Sequence, residues 1–310
     1  MRPVLIDTDP GVDDALALLL AWGSPELEVH ALTTVSGNVG VELATLNAGR
    51  LVALRQPRPR PVIAIGASGP LVRSPVTATH YHGEDGLGDA GAWPVTPAAP
   101  ATIGAVELMV RIARHYGPRL SIIALGPLTN VALALTAHPE AIGRIGRLVI
   151  MGGAVEVPGN VTATAEFNMH VDPDAAARVL EAGLPIDLVP LDATRQVVLP
   201  RDRLSKALAA APPPLRQWVT AFTLGAFRAE STRSQPGMVL HDPLAVGTAI
   251  DEHVVAWEPM CLRVGPDGET RRSPGTPNCR VAMHVNAEAF LNTFLERLTG
   301  SVLPRQDPLD

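Results

Sequence analysis

The sequence predicts an α/β fold, a mainly parallel open sheet with helices on both faces, and three observations carry that expectation. Short apolar runs of strand character alternate with helical runs through about residue 190. The strand runs are apolar throughout, as strands covered on both faces are. With 310 residues, 46% hydrophobic and 18% charged, the chain can bury a large core.

The elements follow in order. PVLID opens as a strand, and the helix DDALALLLAWG is apolar on nearly every side, as expected of a helix packed between a sheet and other elements. EVHALTTVS and PVIAIG read as strands around the helix VELATLNAGRLVALR. TIGAVELMVRIARHYG is a helix, LSIIALG a strand, PLTNVALALTAH a helix, RLVIMGG a strand, DPDAAARVLEAG a helix and IDLVPL a strand. The C-terminal third is more helical: RDRLSKALAA, LRQWVTAFTLGAFRAES and DPLAVGTAI precede a hairpin, WEPMCLRVGPDGETRR turning at VGPDGE, and a last helix NAEAFLNTFLERL. APPPLR at 211–216 reads as a helix boundary, and no repeat or linker divides the chain, so residues 1–310 are taken as a single domain. The segment 66–101 is long for a plain connection and holds few regular signals, which points to a functional loop or short elements.

Composition excludes several partners and chemistries. The balance of 25 basic against 31 acidic residues, a net charge of −6 and the lack of a basic run argue against nucleic acid. Acidic residues come too early for a signal peptide and no apolar stretch reaches membrane-spanning length, so a cytoplasmic protein without a membrane partner is expected. Cys261 and Cys279 lie in apolar, strand-like contexts and read as buried free thiols. Lys206, the only lysine, sits in a polar helical pattern, which leaves P-loop and Schiff-base chemistry without a candidate.

The stretch VLIDTDPGVDDALALLLAW places Asp7, Asp9, Asp13 and Asp14 between two apolar runs, where unpaired burial is costly. Helix capping explains one or two of them. A hard cation explains the set better, because Ca²⁺ mixes carboxylates, carbonyls and water among its oxygen ligands. The spacing is not that of an EF-hand, so ligands must converge from separate strand ends, where parallel α/β sheets collect ligands. Oxygen-rich ends recur at TTVSGN (33–38), LGPLTN (125–130), GNVTATAEFN (159–168) and HDP (241–243). Asn38, Asn160 and Asn168 suit the hydroxyls of a sugar.

These blocks, with DTDPGVDDALAL at 7–18, HGEDGLG at 82–88 and MGG at 151–153, resemble the nucleoside hydrolases of the inosine-uridine preferring type, in family order across most of the chain. The resemblance implies the Rossmann-like nucleoside hydrolase fold and a Ca²⁺-dependent enzyme that cleaves the N-glycosidic bond of ribonucleosides to free base and ribose, in salvage or catabolism. It implies metal ligation by Asp9, Asp14, Asp242 and the backbone carbonyl of Leu125, with Asp9 also taking a proton from the attacking water. Asp13 and Asn168 would bind ribose hydroxyls, with Asn38, Asn160 and Glu166 around them. Met151 would line the pocket and Phe167 the approach of the base. His241 would assist the leaving base and His82 stand second to it, a pair closer to the nonspecific or pyrimidine-leaning branch. Relatives are typically homodimers or homotetramers.

That assignment agrees with the chemistry, since glycoside hydrolysis needs a nucleophilic water, a stabilised oxocarbenium-like sugar and a route out for the base. Histidine suits proton donation near neutral pH. Helix 215–233 should overhang the base, but tyrosines used there by some relatives are missing, leaving Phe227, Arg228 and Arg233 as candidates. Two rival readings are a noncatalytic, metal-dependent ribonucleoside-binding protein and an aspartyl-nucleophile phosphohydrolase, the latter lacking a cationic partner for a phosphoryl group.

Overall fold

The computed structural model describes residues 1–93, 95–232 and 236–300. Among the described residues twelve strands follow in chain order: β1 Arg2–Thr8, β2 Leu27–Thr34, β3 Val62–Ala64, β4 Ser121–Ala124, β5 Arg147–Met151, β6 Ile186–Val189, β7 Val198–Leu199, β8 Met238–Val239, β9 Val255–Met260, β10 Leu262–Val264, β11 Thr270–Arg272 and β12 Cys279–Val285. Eight of them form one open sheet in the order β3-β2-β1-β4-β5-β6-β12-β9, parallel except for the antiparallel edge strand β9. Outward from β1 the chain runs one way through β2 and β3 and the other way through β4, β5 and β6. The order reverses between β1 and β4, and a crevice opens at their carboxyl ends, as in doubly wound folds generally.

Strand periodicity divides the core between two layers. Val4 and Ile6 of β1 pack with residues of the helices Val12–Gly23, His241–Ile250 and Ala287–Thr299, whereas Leu5 joins Ile122 and Leu148 beneath the helices Ala105–Tyr116, Thr129–Ala137 and Pro173–Leu180. Consecutive apolar residues thus serve opposite faces, which is why these strands read as unbroken hydrophobic runs. In the Val12–Gly23 helix every residue from Val12 to Ala21 is buried. That burial includes Asp13 and Asp14, which fixes the location of the acidic stretch inside the protein.

Two sequence expectations are corrected. The hairpin is confined to β10 and β11, which pair Leu262 with Arg272; the preceding residues form β9 and join the central sheet beside β12. The chain breaks between them at Cys261, where Asn278 bonds both the N–H and the carbonyl of Leu262 and pins the change of partner. Of the two free thiols, Cys279 is buried and Cys261 only partly so. The segment 66–101 keeps a single helical turn, Thr79–His82. Among the described residues no helix is long and apolar enough to cross a membrane.

Candidate active site

The crevice at the sheet reversal is a cavity of about 190 Å³, room for one small molecule. Its floor comes from strand ends. β1 leads into Asp9, β4 into the Leu125 carbonyl, and β5 delivers Met151. Asp13 and Asp14 begin the next helix, and Asp242 enters from the start of His241–Ile250. Asp13, Asp242, Asn38, Leu125, Met151 and Asn168 line the cavity, while Asp9 and Asp14 are fully buried behind them.

Each carboxylate has a distinct environment. Asp14 accepts from the Thr8 hydroxyl at 2.5 Å, the Asp9 N–H, the Gly11 N–H and the Asn38 amide, so both its oxygens are held. Asp9 Oδ2 accepts the Asn38 N–H at 2.6 Å, whereas Oδ1 is buried with no partner. Asp13 Oδ2 accepts the N–H groups of His241 and Asp242, each at 2.9 Å, and its Oδ1 is likewise unpartnered. Burial pushes Asp13 up to about 8, Asp14 adding repulsion against the relief of the two N–H bonds. Asp9 is raised well above the ordinary range by burial and then by repulsion from Asp14. Asp242 is raised by burial and by Asp14, Asp13 and Asp9 in turn.

Asp7 stands apart from this group. Its Oδ1 accepts from Thr33 and Asn130, and the Asn130 side chain also bonds the Thr34 carbonyl and the Ala67 N–H. It ties β1 to β2 and to the long segment beneath the site, and burial pushes it up to about 7.

The other wall carries the histidines. His82 Nδ1 accepts the Val12 N–H at 3.1 Å, so the imidazole satisfies an orphan donor of the helix bearing Asp13 and Asp14. Gly11 makes that approach possible. A Cβ there would lie 2.5 Å from His82 Nδ1 and 2.9 Å from the Asn38 amide nitrogen, so Gly11→Ala is expected to cost about 1 to 3 kcal/mol by overpacking. A lower melting temperature with reduced turnover is the expected result; an unchanged enzyme would show that His82 and Asn38 need not stand there. His241 Nδ1 bonds the Thr194 hydroxyl at 2.8 Å. Burial lowers both rings to about 4, so each is neutral at pH 7.

The remaining sequence-predicted residues divide. Asn168 lines the cavity and donates to the Leu125 carbonyl at 2.6 Å and the Met151 carbonyl at 3.2 Å. Glu166 also lines it, but its carboxylate is engaged by the N–H groups of Gly153, Asn168 and Met169 and caps a short helix. Asn160 accepts the Phe167 N–H and so shapes the loop that brings Phe167 to the cavity. Phe227 packs in the core instead of the cavity lining, since a large apolar ring on that helix gains more from the core. Arg233 lies outside the described residues. Tyr81 and Glu230 line the cavity too; no pattern in the sequence links them.

A hard cation fits the donor chemistry of the floor. Buried carboxylates with unpartnered oxygens crowd together, and no Lys or Arg is among the described residues lining the cavity. Such a set is costly without positive charge. Among the described residues, however, no three Asp, Glu, His or Cys side chains already form a ready ligand group. The carboxylates repel in this arrangement, and ligation would require them to draw together.

Comparison with known proteins agrees with this architecture. Residues 4–292 match the model of the inosine-uridine preferring nucleoside hydrolase family. The chain is 36% identical over 309 residues to the pyrimidine-specific ribonucleoside hydrolase RihA of Salmonella agona, covering 96% of this chain and 98% of that one. Its structure superposes on a purine-preferring ribonucleoside hydrolase from Gardnerella vaginalis with a TM-score of 0.91 at 32% identity, over 96% and 98% of the two chains. It superposes on an inosine-guanosine nucleoside hydrolase with a TM-score of 0.86 at 30% identity, over 98% and 100%. The chain belongs to the inosine-uridine preferring nucleoside hydrolase family and is a nucleoside N-ribohydrolase.

Proposed function

We propose that this enzyme uses Ca²⁺ and hydrolyses ribonucleosides, pyrimidine ribonucleosides foremost, with the ribose on the acidic floor and the base toward the histidines. The observation that carries this reading is the buried, mutually repelling group of Asp9, Asp13, Asp14 and Asp242 beneath a small cavity walled by two neutral imidazoles. Asp9, Asp14, Asp242 and the Leu125 carbonyl would hold the ion, whose charge keeps the carboxylates ionised and eases deprotonation of a water. Asp9, with an unpartnered oxygen, takes the proton of the attacking water as the water oxygen bonds to C1′. The C1′–N bond breaks with its electron pair leaving on the base. Burial makes His241 a neutral ring at pH 7, so its help takes the form of an N–H hydrogen bond to the departing nitrogen and not a resting imidazolium. The pyrimidine preference is supported by the two histidines and by the name of the Salmonella relative.

Release of free ribose from a panel of uridine, cytidine, inosine, guanosine and adenosine tests the reading. Release from the pyrimidine nucleosides at the highest kcat/KM is expected, and no release from any of them would overturn it. Asp13 and Asn168 are assigned to the ribose hydroxyls, and a site built around a hydroxyl is left with unpaired polar groups when that hydroxyl is missing. Uridine should therefore exceed deoxyuridine in kcat/KM by about 10- to 100-fold. Comparable values would remove the ribose from this floor.

A further inference from the structure

β6 runs parallel beside β5, whose end supplies Met151 to the cavity, yet no residue of 186–199 is among the described residues lining it. β6 is followed by the turn Leu191–Thr194 and by Arg195, whose side chains reach the loop between β5 and the helix Phe167–Val171. Asp192, only 7% exposed, accepts the N–H groups of Val155 and Glu156 at 2.8 and 2.7 Å. Arg195 donates to the carbonyls of Pro158 and Gly159 at 2.7 and 2.9 Å. A carboxylate thus takes two successive donors and a planar guanidinium two successive acceptors, on either side of Val157. Directly beyond Gly159 come Asn160 and Val161, which line the cavity, and Asn160 Oδ1 holds the Phe167 N–H.

We propose that Arg195 and Asp192 are positioning residues that hold this loop in the form that receives the nucleoside, which rests on the placement of the substrate in this cavity. Between β5 and Phe167 the loop has no helix and no strand beyond an isolated bridge at Ala165, so its backbone groups need partners from elsewhere. The two clamps supply four of those partners from a turn fixed at the end of a sheet strand. Gln196 ties the same turn to β12, through the Met283 carbonyl and the Val285 N–H. Without the clamps the loop samples other arrangements, and a site competent for only part of the time binds its substrate more weakly by that fraction. Once the substrate is bound the loop is in place and the reaction runs at its own rate, so the cost falls on KM and not on kcat.

Steady-state kinetics on uridine at about pH 8 compare the wild type with Arg195→Ala, Arg195→Lys and Asp192→Asn. Arg195→Ala is expected to raise KM by roughly 10-fold, the worth of two ordinary hydrogen bonds, with kcat within about threefold of the wild type. Arg195→Lys, a single ammonium in place of the planar fork, should fall between, and Asp192→Asn, which keeps one acceptor oxygen, should raise KM less than Arg195→Ala. Added guanidinium at millimolar concentration should bring the KM of Arg195→Ala back toward the wild type and leave that of Asp192→Asn unmoved, a response that general damage to the fold does not give. Circular dichroism and thermal melting establish that each variant is folded, and Arg195→Lys and Asp192→Asn carry the test if Arg195→Ala is not. An unchanged KM in the folded variants, a loss confined to kcat, or a raised KM in Arg195→Ala that guanidinium does not lower would overturn the assignment and leave the clamps as ties between loop and turn. Absence of ribose release by the wild type from every nucleoside would instead overturn the underlying function, so the two failures are distinguishable.

Discussion

Asp9→Asn is expected to lose about 10²- to 10⁴-fold in kcat, and to give a metal-free protein that melts at a higher temperature than the metal-free wild type. The two effects share one cause. Asp9 keeps Oδ1 buried and unpartnered, and both burial and Asp14 raise its pKa in the folded protein. A carboxylic acid whose folded pKa lies above its unfolded value contributes stability that is complete below the unfolded pKa, near 3.9, and lost as pH rises through the folded one. Without a cation, the buried Asp9 is a liability at neutral pH that Asn does not carry, while Asn still offers an oxygen to the Asn38 N–H. The gain should be clear at about pH 8 and vanish at about pH 4.5. Added Ca²⁺ should reverse the ranking, because an ion bound only to the folded state stabilises it by mass action. Melting curves with chelator and with Ca²⁺, at both pH values, check the sign. A variant that keeps full turnover would remove Asp9 from proton abstraction, and one that melts lower at pH 8 without metal would show that the carboxylate was already neutralised by the protein. Stability would here be given up for function, as is common at sites of buried like charge.

Most of the sheet was legible because its strands are covered on both faces and so stand out as unbroken apolar runs between helices. The strand order was not, since it depends on which helices cross which face. The break at Cys261 was also hidden: EPMCLRV reads as one strand, and the change of partner is made by Asn278, seventeen positions after Cys261. At the site, Asp9, Asp13 and Asp14 are legible because four carboxylates between apolar runs violate the burial pattern. Asp7 belongs to the same motif but braces β2 through Thr33 and Asn130, a division of labour that spacing alone does not carry. His82 caps the helix of Asp13 from 70 positions away, and Tyr81 meets Glu230 from 149. Contacts of this kind have no local period, so only the fold reveals them.

His241→Ala is expected to lose about 10²- to 10⁴-fold on uridine and much less on nitrophenyl riboside, with Ca²⁺ content unchanged. A natural base leaves as a poor anion and needs a donor at the departing nitrogen; nitrophenolate does not. The Thr194 hydroxyl, 2.8 Å from Nδ1, orients the ring, and if the hydroxyl donates there, a neutral ring keeps its own proton on Nε2 for the departing nitrogen. Thr194→Val, which removes the orienting hydroxyl, should therefore show a smaller version of the same substrate split. Burial lowers His241 to about 4, which favours a neutral N–H as the form of the donor. If a neutral N–H is the active group, the ratio of wild-type to His241→Ala activity on uridine stays constant from about pH 5.5 to 8, because the imidazole does not change charge over that range. A ratio that climbs steeply toward acid would identify the imidazolium as the donor. Equal losses on uridine and nitrophenyl riboside would place His241 in support of Asp13, whose carboxylate already accepts the His241 backbone N–H, and the group that releases the base would have to come from the His82 side of the cavity.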